Sequence, residues 1–207
     1  MTPSAGRGAR MLPFPATTWV ALVTVVVSIA AFVHPPLSDA MVRGAASVHA
    51  GEWWRLATPI LVQPAGWGQL AFNLLGIAVV GAAFEQRRPL GRWLLTYLTA
   101  GVGSVLALTL LRPEDHGGGA SDCVAGLIGA LAVVRVVDGS AFGGRRGVLD
   151  TAALAYSAFF CAYLAGLALG GVWPAIVAGD IAVALALTAA HRLGSARTAR
   201  GLLVLVG

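Results

Sequence analysis

The chain has 207 residues, of which 57% are hydrophobic and 11% charged, and its mean hydropathy is +0.80. Soluble domains carry about a quarter charged residues, so this composition excludes an ordinary soluble globular protein and indicates a polytopic membrane protein. The 14 basic residues are all Arg and give a formal net charge of +5, an excess that in such a protein marks the loops on one side of the bilayer and not a nucleic-acid surface.

Arg7 and Arg10 precede an apolar run from Ala16 to Val33. The run exceeds the roughly 7 to 15 residues of a secretory signal's apolar region, and no small-x-small cleavage site precedes Pro35-Pro36. It is expected to be a retained first transmembrane helix, ended by His34, Pro35 and Pro36 because proline lacks a backbone donor and restricts the residue before it. A connector follows to about Gly66, holding Gly51-Glu52-Trp53-Trp54-Arg55-Leu56 and an apolar piece at Ala57 to Val62. Connectors of that length usually have structure of their own, and paired Trp beside charge suits the bilayer interface.

The second predicted span, about Trp67 to Phe84, carries Gln69 and Asn73 on one helical face. Polar side chains in a spanning helix face the bundle interior, where interhelical hydrogen bonding is the simplest role. Glu85, Arg87, Arg88 and Arg92 form a short charged loop before the third span, about Trp93 to Leu111, in which Gly101 and Gly103 read as close-packing positions. Arg112 to Gly119 is another short loop. Its His116 lies five residues before Ser121 and is expected to be incidental, since a base must first reach hydrogen-bond geometry.

The fourth span, Ala120 to about Val137, opens at Gly117-Gly118-Gly119-Ala120-Ser121-Asp122 and continues through Gly126 and Gly129, small residues that admit a neighbouring backbone. A serine at such a helix start is either an N-cap or a nucleophile beside free amides that stabilise an oxyanion. The fifth span runs from about Val148 to Gly170 and the sixth from Ala175 to about Ala190, the latter with Ala178, Ala182, Ala186 and Ala190 at four-residue spacing and Asp180 in its apolar part. Cys123 and Cys161 follow neither a metal spacing nor a disulfide framework and read as packing residues, so no metal or cofactor is expected. Eleven of the 14 arginines fall in the two tails and the 2–3 and 4–5 loops, which predicts both termini on the cytoplasmic side. Ser121, Gln69/Asn73 and Asp180 then share the outer side.

In this order and spacing the motifs resemble the rhomboid family of six-helix intramembrane serine proteases. Glu52-Trp53-Trp54-Arg55 resembles the Trp-Arg signature of the family's long first loop. Gln69 and Asn73, followed by Glu85 and Tyr97, resemble its second-helix His-xxx-Asn pattern and the Glu and Tyr after it. Gly119-Ala120-Ser121-Asp122 with Gly126 and Gly129 resembles its Gly-x-Ser-Gly nucleophile motif and the helix behind it. The resemblance implies an all-α six-helix bundle over residues 16–192, with cytoplasmic tails at 1–15 and 193–207, embedded in the lipid bilayer and engaging transmembrane helices of other proteins.

Three departures stand beside these matches. Gln69 replaces a histidine on the oxyanion side, and Asp122 replaces the glycine after the nucleophile. In the sixth helix Gly179 or Asp180, depending on register, stands where the family supplies its catalytic histidine. His191 lies roughly 16 to 18 Å further along that helix at 1.5 Å per residue, on the wrong side of the membrane. The leading expectation is a catalytically degenerate rhomboid-like protein that binds transmembrane segments of clients. The alternatives are an active intramembrane serine endopeptidase using Ser121, with Gln69 and Asn73 as oxyanion donors and Asp180 as an unorthodox partner, and a small transporter or channel lined by Asp180, Gln69 and Asn73.

Overall fold

A backbone crossing lipid must satisfy its polar groups within the chain, which makes each long apolar run a helix. The computed structural model describes residues 14–137, 147–171, 181 and 185. Gly179, Asp180, His191 and most of the sixth predicted span lie outside the described residues, as do residues 1–13 and the C-terminal tail. Among the described residues the protein is all helical, with no strand beyond one isolated antiparallel bridge between Arg43 and Gly117.

The first span is α1, Pro15–Val33, and the connector folds into two short helices, α2 Pro35–Met41 and α3 Ala45–His49. Two single turns of tighter 3₁₀ helix follow at Trp53–Leu56 and Thr58–Leu61. The second span is α4, Trp67–Glu85, which widens into a π turn over Ile77–Gly81. Next come α5, Leu90–Leu111, α6, Ser121–Val137, and α7, Gly147–Gly170. Helices α1, α4, α5 and α7 contain stretches long and apolar enough to cross a bilayer. Helix α6 has 17 residues and reaches about 26 Å at 1.5 Å per residue, just short of the roughly 30 Å hydrocarbon core.

Helix α5 begins three residues before the expected Trp93, because Pro89, with φ near −64°, pre-sets the first turn. Trp93 is fully buried, donates its indole N–H to the Gly81 carbonyl at 2.9 Å, and stacks on Tyr97 at 5.1 Å. With Ile77, Val80, Val124, Leu127 and Phe160 these rings form the core between α4, α5, α6 and α7. A Cβ at Gly126 would collide with the Ala100 methyl group, so glycine is what lets α6 approach α5. Gly129 and Gly103, by contrast, meet open space, because they project from other faces of their helices. Cys123 is buried, as a packing residue should be, whereas Cys161 is exposed.

Charged groups fasten one end of the bundle. Helix α1 has no cap of its own; the Glu85 carboxylate at the end of α4 accepts the amides of Ala16 at 2.8 Å and Thr17 at 2.9 Å, and the Thr17 hydroxyl at 2.7 Å. A negative charge there also matches the helix dipole. Nearby, the Asp150 carboxylate of α7, 2% exposed, pairs with Arg87 at 2.7 Å and Arg135 at 3.1 Å. Removing the shared anion takes from this buried cluster the carboxylate that both guanidinium groups contact. Asp150→Ala is therefore expected to lower unfolding free energy in detergent by about 3 to 5 kcal/mol, whereas Asp115→Ala, which breaks an exposed pair with Arg112, changes it by less than about 1 kcal/mol; thermal and denaturant unfolding of the two variants checks the contrast.

Candidate active site

The site is built from the connector upward. Helix α2 ends with carbonyls that have no partner inside the helix, and residues of the Trp-Arg segment supply the missing donors. Arg55 donates to the carbonyls of Asp39 and Val42, the latter at 2.9 Å, while its guanidinium is held by the Glu52 carboxylate. Trp54 donates its indole N–H to the Ala40 carbonyl at 3.0 Å, and the Thr58 hydroxyl donates to Met41 at 2.9 Å. Glu52, Trp54 and Arg55 thus fold the connector into a fixed platform, and the Trp54 ring remains 52% exposed.

On that platform lies the glycine loop. Arg43 donates its backbone N–H to Gly117 at 2.8 Å, the Gln69 amide donates to the Gly118 carbonyl at 2.8 Å, and Gly119 donates its N–H to Pro59 at 2.8 Å. Gly119 has φ near +142°, a conformation open to glycine and strained for other residues. A Cβ there would also collide with the Gln69 amide, and one at Gly118 would come within 2.7 Å of the Pro59 carbonyl. The loop therefore delivers Ser121 to the start of α6 at one position. Ser121 is the first helical residue, and its hydroxyl has no hydrogen-bond partner among the described residues. It does not act as the helix cap that the local sequence allows.

Half-buried Ser121 lines a cavity of about 150 Å³ with Asp122, Arg43, Pro59, Val105, Leu108 and the three glycines. The first-turn amides of α6 have no intrahelical acceptors, so this cavity sits where an anionic oxygen is favoured by the helix start. The Asp122 carboxylate works against that preference. His116 is turned elsewhere: its Nδ1 lies 3.0 Å from the Glu114 carbonyl and its ring packs over Gly44.

Gln69 and Asn73 share one face of α4, and both already hold parts of the site. The Gln69 carbonyl accepts the Ala65 N–H at 2.9 Å while its amide braces Gly118. Asn73, fully buried, donates to the Gln63 side-chain oxygen at 2.7 Å. Each NH₂ group has two N–H bonds, so each keeps one beyond the contact named. Gln63 was missed by sequence reasoning. It is fully buried, and its own NH₂ and the Asn73 carbonyl have no hydrogen-bond partner among the described residues. The available signal was a lone amide between an apolar run and Pro64, ten residues before Asn73.

Residues 50–180 match the Rhomboid domain family. The chain belongs to the rhomboid family. It is 44% identical over 84 residues to rhomboid protease GluP of Bacillus subtilis, an alignment covering 41% of this chain and 16% of that protein. A second rhomboid of the same bacterium, YdcA, is 39% identical over 80 residues, covering 38% of this chain and 40% of its own length. The aligned stretches span well under two thirds of either relative. The protein is thus a multi-pass rhomboid of the membrane, related to intramembrane proteases.

The rhomboid glycine loop is expected to depend on its clamps and not on the serine it presents. Gly119→Ala should cost about 2 to 4 kcal/mol from backbone strain and overpacking, and Gln69→Ala about 1 to 3 kcal/mol from the unsatisfied Gly118 carbonyl. Ser121→Ala should stay within about 1 kcal/mol of the parent; unfolding in detergent measures all three.

Proposed function

We propose that this rhomboid is catalytically degenerate and acts by binding transmembrane segments of other membrane proteins. The observation that carries this reading is in the sixth predicted span, where Gly179 or Asp180 stands at the position of the family's catalytic histidine. A serine hydroxyl is a weak nucleophile until a neighbouring base activates it. Among the described residues no His, Asp or Glu side chain bonds to Ser121, and Asp122 adds negative charge beside the place where an oxyanion would form.

A client surface is available without chemistry. Phe72, Leu75 and Val79 of α4 face Ala152, Ala155, Tyr156 and Phe159 of α7 across an apolar groove of about 430 Å³. The aromatic rings at its base are fixed: Phe72 stacks on Phe160 at 5.6 Å, and the Tyr156 hydroxyl donates to the Phe72 carbonyl at 3.1 Å. Small residues such as Ala152 and Ala155 allow a neighbouring helix to come close, which is how helices associate where lipid removes the hydrophobic driving force. In this reading residues 16–192 form the membrane domain, and the arginine asymmetry puts both tails in the cytoplasm.

A second reading, an active intramembrane serine endopeptidase, is favoured by the clamped loop and by the cavity at Ser121. The protease GluP among the relatives supports it too. It assigns Ser121 as nucleophile, Gln69 and Asn73 as oxyanion donors and Asp180 as base.

Proteoliposomes holding the full chain and a panel of single-span proteins with photo-crosslinking side chains separate the two. Crosslinks to α4 and α7, reduced severalfold by Ala155→Trp and accompanied by no cleavage, are expected. Cleavage that disappears in Ser121→Ala would overturn the degenerate reading.

A further inference from the structure

Arg43 closes the loop that carries Ser121. Helix α5 ends on carbonyls with no partner inside the helix, and the Arg43 guanidinium donates from Nη1 to the carbonyl of Arg112, the residue that caps α5, at 3.3 Å. The backbone N–H of Arg43 donates to the Gly117 carbonyl at 2.8 Å. Both ends of the stretch from Arg112 to Gly117 are thus tied to one residue. Arg43 is 7% exposed and lines the cavity of about 150 Å³ at Ser121 together with Asp122. A guanidinium stays charged at every working pH, and charges enclosed by protein act more strongly than charges in water. Arg43 and Asp122 therefore bring opposite signs to the same cavity.

A carboxylate in the first turn of α6 opposes negative charge on the neighbouring residue, and a guanidinium on the same cavity favours it. We propose that Arg43 is a positioning residue for Ser121 whose charge also offsets that of Asp122, so that the cavity favours a negatively charged atom at position 121. The two parts of this role separate by substitution. The bond to Gly117 uses the Arg43 main chain and is open to any residue except proline, whereas the charge belongs to the side chain alone. A group that favours an anion does not take up a proton, so Arg43 is no base, and the inference holds whether or not Ser121 is activated. Its failure would leave helix binding between α4 and α7 untouched.

The test uses the full chain in neutral detergent with a thiol placed at the site as a reporter: Ser121→Cys in a Cys123→Ala, Cys161→Ala background, which removes the two native thiols. Alkylation by iodoacetamide is followed against pH, because the thiolate is the reacting form. Arg43→Gln keeps a side-chain donor for the Arg112 carbonyl but no charge, and it should raise the midpoint of the profile by about one pH unit, roughly a tenfold loss of thiolate below that midpoint. Arg43→Lys, which keeps the charge, should restore most of that shift. Asp122→Asn should move the midpoint the opposite way. Melting identifies variants that fail to fold, and Arg43→Met then serves as the neutral variant in place of Arg43→Gln. An unchanged midpoint in a folded neutral variant overturns the proposal, as does an unchanged midpoint in Asp122→Asn. So does a folded Arg43→Lys that behaves like Arg43→Gln, because the effect would then belong to loop geometry and not to charge. If neither neutral variant folds, Arg43 serves the fold alone and the proposal falls.

Discussion

Gly117, Gly118 and Gly119 are each hydrogen-bonded to a different part of the chain: the backbone of Arg43, the side chain of Gln69 and the carbonyl of Pro59. The position of Ser121 depends on these three bonds, and they in turn depend on the connector. Arg43 and Pro59 are held where they are because Arg55, Trp54 and Thr58 satisfy the last carbonyls of α2. A backbone group buried without its bond costs free energy. Loosening any part of this chain of contacts would therefore leave buried backbone groups unsatisfied.

This gives the departures from the rhomboid pattern a physical meaning. Gln69, expected from the resemblance to stand in the place of a family histidine, bonds at its two ends to Ala65 and Gly118 and so braces the loop. Asn73 is likewise fixed by Gln63. The presenting machinery is thus structural in its own right and persists through packing and hydrogen bonding, which fits the proposed reading in which Ser121 is presented without being activated. The apolar groove between α4 and α7 is the surface on which the proposed helix-binding function rests.

The spans were legible because lipid imposes a length and a polarity on them, and α1, α4 and α7 begin and end within a residue or two of their apolar runs. Helix α5 was misplaced at its start because the decisive residue was Pro89, outside the apolar run. Which glycines meet a neighbour was not legible: Gly126 and Gly129 look alike in sequence, and only the placement of Ala100 separates them. The contacts that fasten the bundle were hidden for a related reason. Glu85 caps a helix 69 residues away and Arg87 meets Asp150 at a separation of 63, and no local pattern encodes such pairings. Gln63 escaped notice because its partner, Asn73, lies on another element.

The central claim is that Ser121 is held in a nucleophile's place without being activated. Labelling with a serine-directed fluorophosphonate, performed in membranes beside a catalytically active rhomboid, tests it most directly. The account predicts no adduct on Ser121 under conditions that label the active protein fully. An adduct on the parent chain that is absent from Ser121→Ala would contradict it.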